Sequence, residues 1–122
     1  MSACHNFEIH QVDIKSAYLN GEFEEGNVIY MCLPPGVHLT DDKTLICHLL
    51  KPLYGLRQSG RHWYKKLSSV LMGSLQMRKC EVDQAVFYCV EEESMVMLAV
   101  HVDDCSVMAS SIELVKEVKA GL

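Results

Sequence analysis

Val100-His101-Val102-Asp103-Asp104-Cys105 sets two adjacent carboxylates at the end of an otherwise apolar run. Residues 95–102 are apolar on both alternating faces apart from His101, a pattern that suits a central strand buried on both sides. Residues 105–109 resume as a short strand, so the doublet falls in a hairpin. Burying one unpaired carboxylate is costly, and two neighbours also repel each other. At about 4 Å that repulsion is on the order of 4 kcal/mol for an effective dielectric near 20. A divalent cation turns the repulsion into shared coordination, and magnesium in particular binds through one or two carboxylates plus substrate phosphates. The plain alternative is an exposed β-turn, for which Asp-Asp is ordinary chemistry.

Working outward, a third carboxylate, Asp13, lies near the C-terminal end of a strand predicted over residues 7–14, where Phe7, Ile9, Val12 and Ile14 are apolar. If that strand lies beside the hairpin, three carboxylates converge at one edge of a sheet. Such a set can hold two metal ions, one activating a 3′-hydroxyl and the other steadying a leaving pyrophosphate. Asn20-Gly21 marks a turn, and strands are expected over residues 27–33 and 44–50 as an antiparallel pair. Pro34-Pro35-Gly36 stops the first of these, and Asp41-Asp42 lies in the loop between them. From Ser59 the period changes: Trp63, Leu67, Val70, Leu71 and Leu75 form one stripe of an amphipathic helix, with Lys65, Lys66 and Ser69 largely off it. Residues 84–90 read as a strand and residues 91–94 as a polar turn. Ser110-x-x-Glu113 has capping-box spacing and opens a last helix with Leu114, Val115, Val118 and Leu122 on one side. The order is β, ββ, α, ββ, short β, α: an α+β fold with a largely antiparallel sheet, two packed helices and a single domain over residues 1–122.

Hydrophobic residues make up 49% and charged residues 22%, a globular balance rather than a disordered one. No apolar run approaches the roughly 18 residues of a membrane span, and the first residues lack a secretory pattern. A soluble, intracellular and cytoplasmic chain without a membrane partner is expected. Cysteines 4, 32, 47, 80, 89 and 105 show no Cys-x-x-Cys pair, so they read as small core hydrophobes rather than zinc ligands. Cys47 and His48 should fall on opposite faces of one strand. The net charge of -5 argues against an autonomous nucleic-acid binder. Yet Lys51, Arg57, Arg61, Lys65 and Lys66 cluster, while Glu22, Glu24, Glu25 and Glu91 to Glu93 lie elsewhere in the sequence. A phosphate-facing surface and a solvated helix face both fit that clustering.

Several stretches together resemble one family. His10-Gln11-Val12-Asp13-Ile14-Lys15-Ser16-Ala17-Tyr18-Leu19-Asn20-Gly21 is similar to the signature that carries the first catalytic aspartate of copia-type retrotransposon reverse transcriptases. Ile29-Tyr30-Met31-Cys32-Leu33-Pro34-Pro35-Gly36 resembles the segment that follows it. Leu50-Lys51-Pro52-Leu53-Tyr54-Gly55-Leu56-Arg57-Gln58-Ser59-Gly60-Arg61-His62-Trp63-Tyr64 is similar to the leucine-tyrosine-glycine-leucine block. Residues 83–87 fit an acidic-aromatic segment, and Val102-Asp103-Asp104 fits the catalytic doublet. Five motifs in the family's order cover nearly the whole chain.

The resemblance implies a polymerase palm, RNA-directed DNA synthesis and two magnesium or manganese ions held by Asp13, Asp103 and Asp104. RNA/DNA template-primer and a deoxynucleoside triphosphate are the implied partners. It matches Tyr18 to an aromatic that stacks under the incoming sugar, against a plain core role. It places Tyr54, Gly55, Arg57 and Gln58 in a block that contacts nucleotide and template, with Gly55 allowing close backbone approach. Trp63 reads as a core anchor.

Two positions depart from the pattern: His101 stands where tyrosine is usual, and Gly60 where proline is usual. The family's fingers, thumb, RNase H and integrase parts fall outside the chain, so it is expected to be an incomplete palm with little activity alone. Two alternatives stay open. One is a degenerate, non-catalytic retroelement remnant. The other is a small α+β interaction module whose Asp-Asp is a turn and whose Asp13 lies far from Asp103.

Overall fold

β6 (Ser94–His101) is the middle strand of a five-stranded sheet, which the computed structural model describes together with the rest of residues 6–37 and 45–122. In chain order the other elements are β1 (Glu8–Asp13), α1 (Ala17–Asn20), β2 (Ile29–Cys32), β3 (Ile46–Leu49), α2 (Ser59–Gly73), β4 (Arg78–Lys79), β5 (Val86–Glu91), β7 (Asp104–Ala109) and α3 (Ile112–Gly121). The sheet runs β1-β7-β6-β5-β4 with every neighbouring pair antiparallel. β2 and β3 form a separate antiparallel pair, as expected from their flanking turn signals. Cys47 and His48 are consecutive in β3 and so alternate across it. Thr44, the Asp41-Asp42 loop and the first five residues, Cys4 among them, lie outside the described residues.

The α+β class and largely antiparallel sheet follow the sequence reading, with differences that have physical causes. β6 is central but buried on one face: Val96 and Leu98 are buried, whereas Ala99 and His101 are exposed. Both long helices pack on that one face, where α2 contributes Trp63, Leu67 and Leu71 and α3 contributes Val115 and Val118. Under them lie Phe87 of β5, Val96 and Leu98 of β6, and Cys105, Val107 and Ala109 of β7. The apolar residues of the other face, such as Met97 and Met108, made the strand read as two-sided, because hydropathy reports side-chain type and not what covers it. Of the described cysteines Cys105 alone is fully buried, so the core reading holds for that one and not for exposed Cys32.

Three helices occur among the described residues rather than two. α1 is a single turn entered through Ser16 at φ 56, too short to leave a periodic signal. Gly21 ends it where any side chain would crowd α2, since an added Cβ would sit 3.1 Å from the Trp63 backbone nitrogen. α2 stops at Gly73, so Leu75 of the apolar stripe lies past its end. The two-residue β4 was likewise below sequence detection.

At α3 the cap is Ser111, not Ser110. Ser111 Oγ accepts from the Leu114 backbone N–H at 3.4 Å. Ser110 instead ties the strand end, its Oγ accepting from Met95 N–H at 3.1 Å. Replacing Ser111 with alanine is expected to cost about 1 kcal/mol, a typical cap loss. Urea unfolding followed by circular dichroism checks this, and an unchanged midpoint would place the cap elsewhere. No helix among the described residues is long and apolar enough to cross a membrane.

Candidate active site

The β6-β7 turn closes on the pair His101 and Asp104, leaving Val102 and Asp103 as its two central residues. A two-residue hairpin turn needs positive φ at its first central position, and Val102 supplies it at φ 59. For a β-branched residue that conformation is strained. Two bonds hold it there. Trp63 Nε1 donates to the Val102 carbonyl at 2.6 Å, and the Ile14 backbone N–H donates to the Asp103 carbonyl at 2.8 Å.

The second bond ties β1 to the turn. β1 pairs with β7 in a register that sets Asp13 directly opposite Asp104. Directly opposed residues have Cβ atoms about 4.5–5.5 Å apart and share a face. Val12 and Cys105, one position along, turn to the core side, so Asp13 and Asp104 both turn away from the helices. Both are exposed, and His101, opposite Asp104 on β6, completes a row across three strands on the open face. The strand of Asp13 therefore does lie beside the hairpin. The interaction-module alternative expected those residues far apart, and that expectation is not met.

Among the described residues no lysine, arginine or histidine forms an ion pair with Asp13, Asp103 or Asp104. Nor are any three His, Cys, Asp or Glu side chains among them gathered as a ready set of metal ligands. Asp103 has a different neighbour: the Tyr54 hydroxyl points at its Oδ2 from 3.5 Å. The local charge is felt below the sheet, where burial, aided by Asp104 and Asp103, pushes the Cys105 thiol up to about 11. Cys105 is a protonated core residue.

The remaining expected site residues gather less tightly. The Tyr18 ring lies 4.4 Å from the Tyr54 ring, centroid to centroid and tilted by 37°, and Tyr18 is half-buried at the core edge. Gly55 follows at φ +95 with open space where a side chain would be, so here its conformation rather than a close approach within the chain calls for glycine. Arg57 is exposed and forms no ion pair among the described residues. Gln58 occupies the N-cap position of α2 without a side-chain capping bond.

Three of the five basic residues in the cluster are engaged by carboxylates. Glu24 pairs with Lys65 and lies 4.0 Å from Arg61, and Glu22 accepts from Lys66 at 2.6 Å. Hydrogen bonds from Lys66 and Lys65 hold the Glu22 and Glu24 carboxyls below the usual carboxylate range. The solvated-face reading fits these three residues, and Glu22 and Glu24, two of the acidic residues set apart in sequence, are their partners. No spacing rule links residues 22 and 24 to 65 and 66. Buried His62 gave no such signal either: its ring meets Phe23 edge-on at 5.3 Å, while its Nδ1 has no partner among the described residues.

Comparison with known proteins agrees with the motif reading. A family described as reverse transcriptase (RNA-dependent DNA polymerase) matches residues 1–122. The chain is 31% identical over its whole length to the Retrovirus-related Pol polyprotein from transposon TNT 1-94 of Nicotiana tabacum, covering 9% of that protein. It is 33% identical over 81% of its length to the Retrovirus-related Pol polyprotein from transposon RE1 of Arabidopsis thaliana. It is 32% identical over 93% of its length to the Transposon Ty1-MR1 Gag-Pol polyprotein of Saccharomyces cerevisiae. It spans 6% of each of those two relatives. No solved structure matches significantly. The chain belongs to the reverse transcriptase (RNA-dependent DNA polymerase) family, in the region it shares with copia-type Pol polyproteins.

Proposed function

We propose that residues 1–122 are a partial, palm-like piece of an RNA-directed DNA polymerase, in which Asp13, Asp103 and Asp104 hold two divalent ions, magnesium or manganese. The observation that carries this reading is the register of Asp13 opposite Asp104, with Asp103 at the adjoining turn. The donor set fits such ions. Carboxylate oxygens are the hard ligands these cations take, and the three carboxylates have no basic partner among the described residues. When bound, the ions supply activation of a primer 3′-hydroxyl and stabilisation of the leaving pyrophosphate.

The chain's own groups divide the remaining work. Asp13 ends β1 and Asp104 opens β7, and both present oxygens on the open face. Tyr18, Tyr54, Gly55, Arg57 and Gln58 stand on the side of the incoming nucleotide and template, where Arg57, without an ion pair among the described residues, offers a cation to a phosphate. RNA/DNA template-primer and a deoxynucleoside triphosphate are the substrates. Fingers, thumb, RNase H and integrase parts of a polyprotein complete the working enzyme, which acts in the cell interior.

Grip on nucleic acid scales with the phosphates that free cations neutralise. With Arg61, Lys65 and Lys66 engaged by Glu22 and Glu24, and a net charge of -5, the chain alone holds a duplex weakly. Purified chain supplied with a primed homopolymer template and manganese is expected to extend primers poorly, and Asp103→Asn to remove whatever extension occurs. Robust incorporation that survives Asp103→Asn would refute the assignment.

A further inference from the structure

We infer that Tyr54 is a positioning residue for Asp103: its hydroxyl and a divalent cation compete for the same carboxylate oxygen. The inference rests on the metal reading of the three aspartates and adds a step that reading lacks, namely what Asp103 does before a cation takes it. Asp13 and Asp104 oppose each other in register, yet the three carboxylates are not gathered, and the described partner of Asp103 Oδ2 is the Tyr54 hydroxyl at 3.5 Å.

Tyr54 is delivered to that position by a short braced loop. Pro52 on one side and Ser59 on the other are fully buried, and Ser59 Oγ donates to the Leu53 carbonyl at 2.5 Å. The Leu56 N–H closes the turn on the same carbonyl at 3.4 Å, and Gly55 at φ +95 provides the bend. From the other side the Tyr18 ring, 4.4 Å away, backs the Tyr54 ring. Loop and ring together fix the phenol, while its oxygen faces a carboxylate that has no competing base among the described residues.

At 3.5 Å the contact is longer than a full O–H to O bond, so it restrains Asp103 without locking it. Asp13, Asp103 and Asp104 would together hold a divalent cation, and Asp103 would have to leave Tyr54 to join the other two. Tyr54 thus sets how readily the third ligand joins, and its ring neighbour Tyr18 sets where Tyr54 stands.

The test measures Mn²⁺ binding to the full chain by electron paramagnetic resonance of the free ion, for the unaltered protein and for Tyr54→Phe. Phenylalanine keeps the ring against Tyr18 and removes the hydroxyl. Because Tyr54 is 53% exposed, the melting temperature in the absence of Mn²⁺ should fall only slightly, by the loss of that one weak hydrogen bond. The expected result is about threefold tighter Mn²⁺ binding in Tyr54→Phe, the scale of one weak hydrogen bond. Asp103→Asn should abolish the difference between tyrosine and phenylalanine at position 54. Equal or weaker binding by Tyr54→Phe overturns the competition and leaves the carboxylate site standing, provided that Asp13→Asn weakens uptake. No saturable uptake in any of these chains overturns both.

Discussion

Replacing Trp63 with alanine is expected to destabilise the chain by about 3–5 kcal/mol, the range for removing a buried large aromatic. For 122 residues, total stability is on the order of 6–18 kcal/mol, so the loss is a large share of it. Trp63 is 5% exposed and packs within the cluster that joins α2 to the sheet. It also has a second role. Its indole N–H satisfies the carbonyl of Val102, the strained residue of the β6-β7 turn. Trp63→Phe separates the two contributions, keeping most of the volume while losing the donor, and should cost about 1 kcal/mol for the bond plus a smaller packing loss. Urea midpoints read by far-ultraviolet circular dichroism give both values. An alanine variant as stable as the original chain would contradict the packing described above.

Divalent cations are expected to raise the melting temperature of the unaltered chain and to lose that effect when Asp104 becomes asparagine. A ligand that binds only the folded state at 100 times its dissociation constant stabilises by about 2.7 kcal/mol. For a domain of this size that corresponds to a rise on the order of 10 °C. The sign should reverse without cations. Like charges directly opposite on neighbouring strands destabilise by roughly 0.2–1 kcal/mol, so Asp104→Asn should then melt slightly higher than the original. One substitution that stabilises in chelator and removes the gain in manganese is hard to produce by packing changes alone. Scanning calorimetry with and without manganese checks it; an equal manganese shift in both chains would exclude Asp104 as a ligand.

Much of this site was legible in the sequence because each part carried its own local signal. The apolar run into Asp103-Asp104 announced a strand and its turn, and Trp63, Leu67 and Leu71 kept helical spacing down to the residues that are buried. Asp13 was found by its place near a strand end and by the motif around it, but its register opposite Asp104 is a property of pairing, which no single segment encodes. The same limit hid the ion pairs between residues 22 and 24 and the α2 lysines. It also hid the Tyr54 hydroxyl at Asp103, since each contact spans more than 40 positions. Capping-box spacing to Glu113 points to Ser110, but the extended backbone of Ser111 and its bond from the Leu114 N–H make Ser111 the cap.

The most direct measurement is a double-mutant cycle between residues 13 and 104. Unfolding free energies of the original chain, Asp13→Asn, Asp104→Asn and the double variant, each in chelator and in saturating manganese, yield one coupling energy per condition. If the two side chains face each other across β1 and β7, the coupling is repulsive in chelator and favourable in manganese. Additive substitutions in both conditions would mean that the carboxylates of residues 13 and 104 do not meet.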